Sequence, residues 1–469
     1  MYVNRHCLPI WALVLFLLAG PLAFADTSLP TELSTRVDRI ATDALKDTGV
    51  PSASIAIVTG DHIAYANAYG NARLSPKTAA TTAMRYSIGS ISKQFTATAL
   101  LMLAQQGKLS LDDKISRFFP ELTRANDVTV RQLLSHTSGY SDSWPQDYVM
   151  PFMQLPTTPA HIMNTWAKRP LDFEPGTKWQ YSNTGYTIAG AIIEKITGQT
   201  PFEFLQQHVF KPLDMASAYN INLHPLPPAD ADGYLRYALG PLRPARKIGV
   251  NWVYGAGELA MTASDLARWD ISMLGQSLLQ PASYHQMQTE TLLHDGMGSG
   301  YGLGLFIRST DGHRTLMHDG EVPGFTAENL VFPDDGIAVV VLTNQDAVNA
   351  CGLIANRIAD VLFETRDAAN TRALAQARDI FAGLQHGELD RALFTANANS
   401  YFDATARKDY QSSLAPLGTP TSFTQRASGK RGGMLMHAYR VTFAHTQLNI
   451  TTYAMPDGKL EQYIVAAGG

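Results

Sequence analysis

The sequence predicts an α+β fold in two parts. The first is one antiparallel sheet built from both ends of a long segment, flanked by helices and packed against a helical subdomain; the second is a small α+β unit. Three observations lead there. Period-two, β-rich runs occur at Ser54–Val58 and Ile63–Asn67 and return between Tyr301 and Leu342. Between them, from Leu109 to Leu279, helical spacing dominates, broken by Pro- and Gly-rich loops. Past Arg366, helical patterns are followed by four alternating runs, the order of an α+β unit.

Taken in order, the N-terminus reads as a signal peptide over residues 1–25. Arg5 and His6 form a basic start, Ile10 to Ala19 an apolar stretch, and Ala23-Phe24-Ala25 a cleavage site before Asp26. The apolar stretch is too short for an ordinary membrane span, so no stable membrane anchor is expected after cleavage, and an exported, periplasmic or secreted location is. Cys7 would leave with it, and the mature chain would keep Cys351 alone, without an internal disulfide.

Leu33 to Thr48 has amphipathic helical spacing and ends at Gly49-Val50-Pro51. The two early β runs are joined by Gly60-Asp61, a hairpin. Helices are expected at Val130–Ser135, Thr187–Thr197, Pro201–Val209 and, after a capping Thr262-Ala263-Ser264-Asp265, at Leu266–Leu274. Strands are expected at Tyr301–Arg308, Arg314–His318, Glu328–Phe332 and Ile337–Leu342, then a helix over Val348–Thr365. Residues 26–365 thus make the first unit and 366–469 the second. In the second, Leu374–Leu384 and Leu389–Ala415 are helical, and Thr421–Arg426, Leu435–Phe443, Gln447–Tyr453 and Leu460–Val465 are strands. That order resembles the nuclear-transport-factor-like cone.

A net charge of -4 and a pI near 6.3 give no footprint for nucleic acid or an anionic membrane. Neither an H-E-x-x-H nor a paired-Cys pattern is present, so no metal and no cofactor are expected.

The candidate chemistry begins at Ser90-Ile91-Ser92-Lys93. An apolar run with helical spacing follows, which places Ser90 at a loop-to-helix junction. Ser and Lys three apart on a helix share a face, so a hydroxyl stands beside an amine at the positive end of a helix dipole. That arrangement suits a nucleophile. Tyr181-Ser182-Asn183 precedes another helix: a loop phenol can handle a proton, and an amide two residues on can both donate and accept. His318-Asp319-Gly320 ends an expected strand, where a glycine lets a substrate backbone come close. The N–H of Glu321 could join that of Ser90 as an oxyanion hole. His136 is read as a residue that stabilises its own turn.

These elements, in this order, resemble the penicillin-recognising serine hydrolases: class C β-lactamases, related D-alanyl-D-alanine carboxypeptidases and esterases. The resemblance spans Leu33 to Glu364 and includes Leu133-Leu134-Ser135-His136-Thr137-Ser138-Gly139, Glu174-Pro175-Gly176, Gly255-Ala256-Gly257, Tyr301-Gly302-Leu303-Gly304 and Val341-Leu342-Thr343-Asn344. It implies a β-lactamase/transpeptidase-like fold. It also implies Ser90 as nucleophile, Lys93 and Tyr181 as the proton-handling pair and Asn183 as holder of substrate and lysine, with His318, Gly320 and Glu321 lining the far wall. Which of Lys93 and Tyr181 takes the proton stays open.

Class C β-lactamases carry a lysine where this chain has His318. The resemblance therefore implies an exported hydrolase forming an acyl-serine on amide, D-amino-acid peptide or ester bonds of a small-molecule or peptide substrate. The alternatives are an esterase with little peptidase or β-lactamase activity and a catalytically weak muropeptide-binding protein. His318 is expected to bind a substrate carboxylate and to lose it as pH rises through about 6–7. Specificity is expected in the loops Tyr140–Thr158 and Asn220–Asn251.

Overall fold

The structure, a computed structural model, describes residues 28–146, 148–366, 368–431, 434–455 and 457–468. The leader-like segment, with its cleavage site and Cys7, lies outside them.

Helix α1 (Thr31–Thr48) buries Leu33, Val37, Ala41 and Ala44, one face at helical spacing, and stops at Gly49, whose φ of 73° is left-handed. Then come β1 (Ser52–Thr59), β2 (His62–Leu74) and β3 (Lys77–Ala79), helix α2 (Ser92–Gln105) and helix α3 (Val130–Leu134). Helices α4 (Asn183–Thr197) and α5 (Ala263–Gly275) lie in the helical middle. After them run β4 (Phe306–Thr310), β5 (His313–Val322), β6 (Phe325–Phe332), β7 (Ile337–Thr343) and α6 (Ala350–Arg366).

The main sheet has the order β3-β2-β1-β7-β6-β5-β4. β1 pairs with β7 from Ala53↔Thr343 to Thr59↔Ile337, so the two ends of the segment meet in mid-sheet. Both central strands are buried along their length because both faces are covered. Ile55, Ile57, Val339 and Val341 join α1 and α6 in one core. Ala56, Val58, Ala338, Val340 and Leu342 join α2 in the other. Each buried Val, Leu or Ile among them contributes about 1.5–3 kcal/mol. The double coverage explains why Ile337–Thr343 reads as continuous apolar sequence and not as an alternation.

Helix α2 is buried on nearly every side. Its polar groups are therefore tied to others. Gln94 Oε1 accepts from Trp269 Nε1 at 2.7 Å, and Gln94 Nε2 donates to Asn329 Oδ1 at 3.1 Å. Asn329 in turn donates to both oxygens of Asp270, at 2.9 and 2.8 Å. Burial holds the Asp270 carboxyl well above the usual carboxylate range. This chain fixes α2 between α5 and β6, and with it the turn that carries Ser90.

Three expected boundaries differ. Helix α4 starts at Asn183, earlier than its apolar spacing indicates, because Ser182 caps it by accepting the Gly185 N–H. Tyr301–Leu305 is loop, and the strand starts at Phe306. Gly304, with φ 76°, passes so close to α2 that a Cβ would stand 2.8 Å from the Lys93 carbonyl oxygen. Strand β5 runs on to Val322, four residues past His318. The helical middle also holds short strands that periodicity did not reveal, among them the hairpin Tyr234–Leu235 with Arg243–Pro244.

The C-terminal part has its own core, which includes Phe381, Phe402, Phe423, Tyr439 and Ile450. α7 (Ala368–Gln385) is followed by α8 (Ala396–Tyr401) and α9 (Ala404–Leu414), started by the caps Thr395 and Asp403. These caps break the single expected Leu389–Ala415 helix. The strands β8 (Ser422–Arg431), β9 (Met434–Thr442), β10 (Gln447–Ala454) and β11 (Leu460–Ala467) form an antiparallel meander in chain order. Among the described residues, no helix is long and apolar enough to cross a membrane.

Candidate active site

Ser90 lies in a 3₁₀ turn, Gly89–Ile91, that runs directly into α2. Lys93, one turn on, is fully buried, with Nζ 3.0 Å from Ser90 Oγ. The amine also meets Asn183 Oδ1 at 2.9 Å and the Ala256 carbonyl at 2.8 Å. Burial lowers the Lys93 pKa to about 7, while Asp142 and Asp319 pull the other way. The Tyr181 hydroxyl donates to Ser90 Oγ at 2.7 Å, and burial holds this phenol well above its ordinary pKa.

These values sort the proton-handling pair. A neutral amine has two N–H donors and one lone pair. Its two oxygen partners other than Ser90 take the donors, and the lone pair is left for the Ser90 hydroxyl proton. Tyr181 stays a phenol and supplies a hydrogen bond. The lone pair of a neutral Lys93 thus faces Ser90 Oγ, while the Tyr181 phenol keeps its proton.

Asn183 opens α4, where a helix start restrains its position. Asp142 Oδ1 accepts the Asn183 and Trp144 N–H groups at 2.9 and 3.1 Å, and Asp142 Oδ2 lies 3.4 Å from Asn183 Nδ2. Sequence reasoning missed Asp142; a turn-forming aspartate two residues before a tryptophan was the only local signal.

His136 is also more than a turn former. It sits at φ 58°, 1% exposed. Its Nδ1 accepts the Ser182 N–H at 3.1 Å, and its ring lies 4.4 Å from that of Tyr181. It therefore positions the tyrosine from behind. Burial, then the Lys93 charge, hold its pKa well below the usual value.

Across the cleft, His318 lies behind the wall that Asp319 and Glu321 line and is 1% exposed. Its Nε2 is 2.9 Å from the Tyr301 hydroxyl and its Nδ1 2.6 Å from the Asp319 carbonyl. Burial pushes its pKa down to about 4. A pKa that low runs against the expected carboxylate switch at pH 6–7, and His318 is not among the residues that line the cleft. Gly320 has a different close neighbour from the one expected: a Cβ there would lie 2.0 Å from the Ile88 carbonyl oxygen. Its bare Cα lets β5 approach the Ser90 turn. At Gly89, φ 50°, a Cβ would lie 2.7 Å from the Glu321 nitrogen, so that amide is beside Ser90. The Glu321 carboxylate accepts the Ala347 N–H at 3.0 Å and braces the same wall.

Ser90, Tyr181, Asn183, Asp319 and Glu321 line one cleft of about 910 Å³, with Lys93 behind Ser90. No cluster of potential metal ligands is found among the described residues.

The sequence profile of the family described as Beta-lactamase matches residues 37–362. The chain belongs to that family. Among curated relatives, PbpX of Bacillus subtilis (strain 168), assigned provisionally by its name to the penicillin-binding proteins, is 27% identical over 307 residues, 65% of this chain and 72% of PbpX. Among solved structures, a D-stereospecific amidohydrolase from Streptomyces sp. is 26% identical with a TM-score of 0.59, covering 68% of this chain and 96% of its own. An octameric penicillin-binding protein homologue from Pyrococcus abyssi, 21% identical, covers 92% of this chain and 99% of its own with a TM-score of 0.61, a likeness of fold that extends past the family match. The family's fold is β-lactamase/transpeptidase-like, with an added C-terminal sheet in this chain, and the protein is a serine hydrolase.

Proposed function

We propose that this protein is an exported hydrolase that forms an acyl-Ser90 intermediate on amide and ester bonds of D-amino-acid compounds. The observation that carries the reading is the convergence of Lys93 Nζ and Tyr181 OH on Ser90 Oγ, at 3.0 and 2.7 Å. The D-amino-acid preference draws on the amidohydrolase likeness, and export on the leader-like N-terminus.

In the proposed reaction, Ser90 Oγ gives its proton to Lys93 and bonds to the carbonyl carbon. The oxyanion is held by the N–H groups of Ser90 and Glu321. Lys93 returns the proton through the Tyr181 hydroxyl to the departing nitrogen or oxygen, and the bond to the leaving group breaks. Water then gives a proton back along the same path, attacks the ester carbon, and frees the acid and Ser90. Asn183 keeps Lys93 in place through Oδ1 and offers an Nδ2 hydrogen to the substrate carbonyl region.

A neutral His318 supplies no fixed cation for a substrate carboxylate. That favours amides and neutral esters over efficient β-lactam turnover. The test is labelling with a fluorophosphonate probe followed by peptide mass spectrometry. Modification at Ser90, with loss of ester and amide turnover in Ser90→Ala, is the expected result. An unlabelled Ser90, with the variant as active as the parent, rejects the reading.

A further inference from the structure

We propose that the cleft carries, beside Ser90, a preformed aromatic subsite for a bulky apolar arm of the substrate, an aromatic ring or an alkyl chain. This deepens the function proposed above and rests on it for turnover, though not for binding.

The two loops in which specificity was expected are joined to each other. Gly249 N–H donates to the Met153 carbonyl at 2.7 Å, and Thr157 N–H to that of Val250 at 2.9 Å. Asn251 Nδ2 donates to the Thr157 carbonyl at 3.0 Å, and Trp252 Nε1 to that of Leu155 at 2.8 Å. Gly249 permits the contact: a Cβ there would stand 2.1 Å from the Leu155 carbonyl oxygen. The backbone is held on both sides, so the wall is built before any ligand arrives.

Its face is aromatic. Trp252 packs on Phe152 at 5.5 Å and Trp166 at 6.0 Å between ring centroids. Trp144, Trp252, Tyr148 and Tyr237 all border the cleft. Tyr148 and Tyr237 are 65% and 58% exposed, an apolar surface at the cleft mouth that no other part of the described chain covers. The wall also touches the catalytic group. Asp142 Oδ1 accepts N–H groups from both Trp144 and Asn183, so one carboxylate ties the aromatic face to the residue that holds Lys93. A cleft of about 910 Å³ has room for such an arm next to the scissile bond.

Two ester series test this on the full chain: p-nitrophenyl esters from acetate to decanoate, and alkyl acetates from methyl to decyl. In the series whose variable arm meets the wall, kcat/KM is expected to rise about twofold per methylene, half the roughly fourfold ceiling for full burial of a CH₂. Tyr148→Ala, at a solvent-exposed position, and Trp144→Ala are each expected to lower the decanoyl-to-acetyl (or decyl-to-methyl) ratio at least threefold. A turnover-free arm uses Ser90→Ala titrated with decanamide and acetamide by tryptophan fluorescence, where decanamide is expected to bind at least tenfold tighter. Two flat series together with equal binding of the two amides overturn the subsite even if acetate is hydrolysed through Ser90. Tight decanamide binding without Ser90-dependent turnover of any ester supports the subsite and overturns the hydrolase reading.

Discussion

Lys93 Nζ stands 3.0 Å from Ser90 Oγ in a site where the lysine side chain has no contact with solvent. The same burial that makes the lysine useful makes it costly, and most of what can be tested follows from that pairing.

Activity should follow the lysine's titration. With a pKa of about 7, Lys93 is a competent base only once deprotonated. kcat/KM for a neutral ester is expected to rise through pH 7 to a plateau. Lys93→Met should lose about a thousandfold, within the range general-base catalysis contributes. A profile flat from pH 5.5 to 8.5 is incompatible with this assignment.

Lys93→Met should move stability and activity in opposite directions. A pKa lowered from 10.5 to about 7 means that burying Lys93 costs about 5 kcal/mol at pH 7 and below. The unfolded chain binds the extra proton between pH 7 and 10.5, so the cost shrinks as pH rises across that window. Lys93→Met forfeits the bond to the buried Ala256 carbonyl, about 1–3 kcal/mol, and the bond to Asn183 Oδ1, about 1 kcal/mol because Asn183 borders the cleft and water can replace the donor. The variant should still melt above the parent at pH 6–7, with the gap closing towards pH 10. Equal or lower melting at pH 6 would falsify the idea that the lysine is held under strain.

His318 should not titrate near neutrality. Its pKa of about 4 predicts an imidazole NMR signal that is constant from pH 5.5 to 8. Carboxylate-bearing and uncharged ester substrates should keep a constant kcat/KM ratio over the same range. A ratio that falls through pH 6–7 restores the carboxylate switch.

His136 offers a way to separate bonding from stacking. Asn can present an acceptor to the Ser182 N–H where Nδ1 does at 3.1 Å, and Phe can only present a ring. His136→Asn is expected to keep kcat/KM within about tenfold. His136→Phe, which leaves a buried N–H unpaired at a cost of about 1–3 kcal/mol, should fall further and disturb the pH profile set by the Tyr181 and Lys93 pair. Similar losses in both variants, without a change of profile, would mean the ring merely fills space.

Gly320→Ala tests the approach of the strand to the nucleophile. Its Cβ would meet the Ile88 carbonyl oxygen at 2.0 Å, so the Ser90 turn or β5 must shift. A loss of about 1–3 kcal/mol in stability is expected, as for other overpacked sites, with a larger proportional loss in kcat than in KM. Unchanged kcat and melting temperature would show that the contact is slack.

Much of this was legible in advance because local sequence constrains it. Helix α1 ends at Gly49 because a left-handed residue is needed there, and the β runs show their period. The Ser90, Tyr181 and His318 elements are each recognisable within a few residues. Asn183 as a helix start was not, since the cap at Ser182 precedes the apolar spacing that marks α4. Asp142 was not, since its partners are Trp144, nearby, and Asn183, which only the fold brings to it.

By itself the sequence determined the fold class, the order of the main elements and the candidate residues of the site, because periodicity, caps and motif spacing are local properties. The tertiary structure decided what surrounds those residues. The Lys93 and His318 pKa values are both pushed down because a pKa depends on desolvation and on charges brought close by distant segments. Gly320 proved to serve the packing of β5 on the Ser90 turn because only the fold sets Ile88 against it.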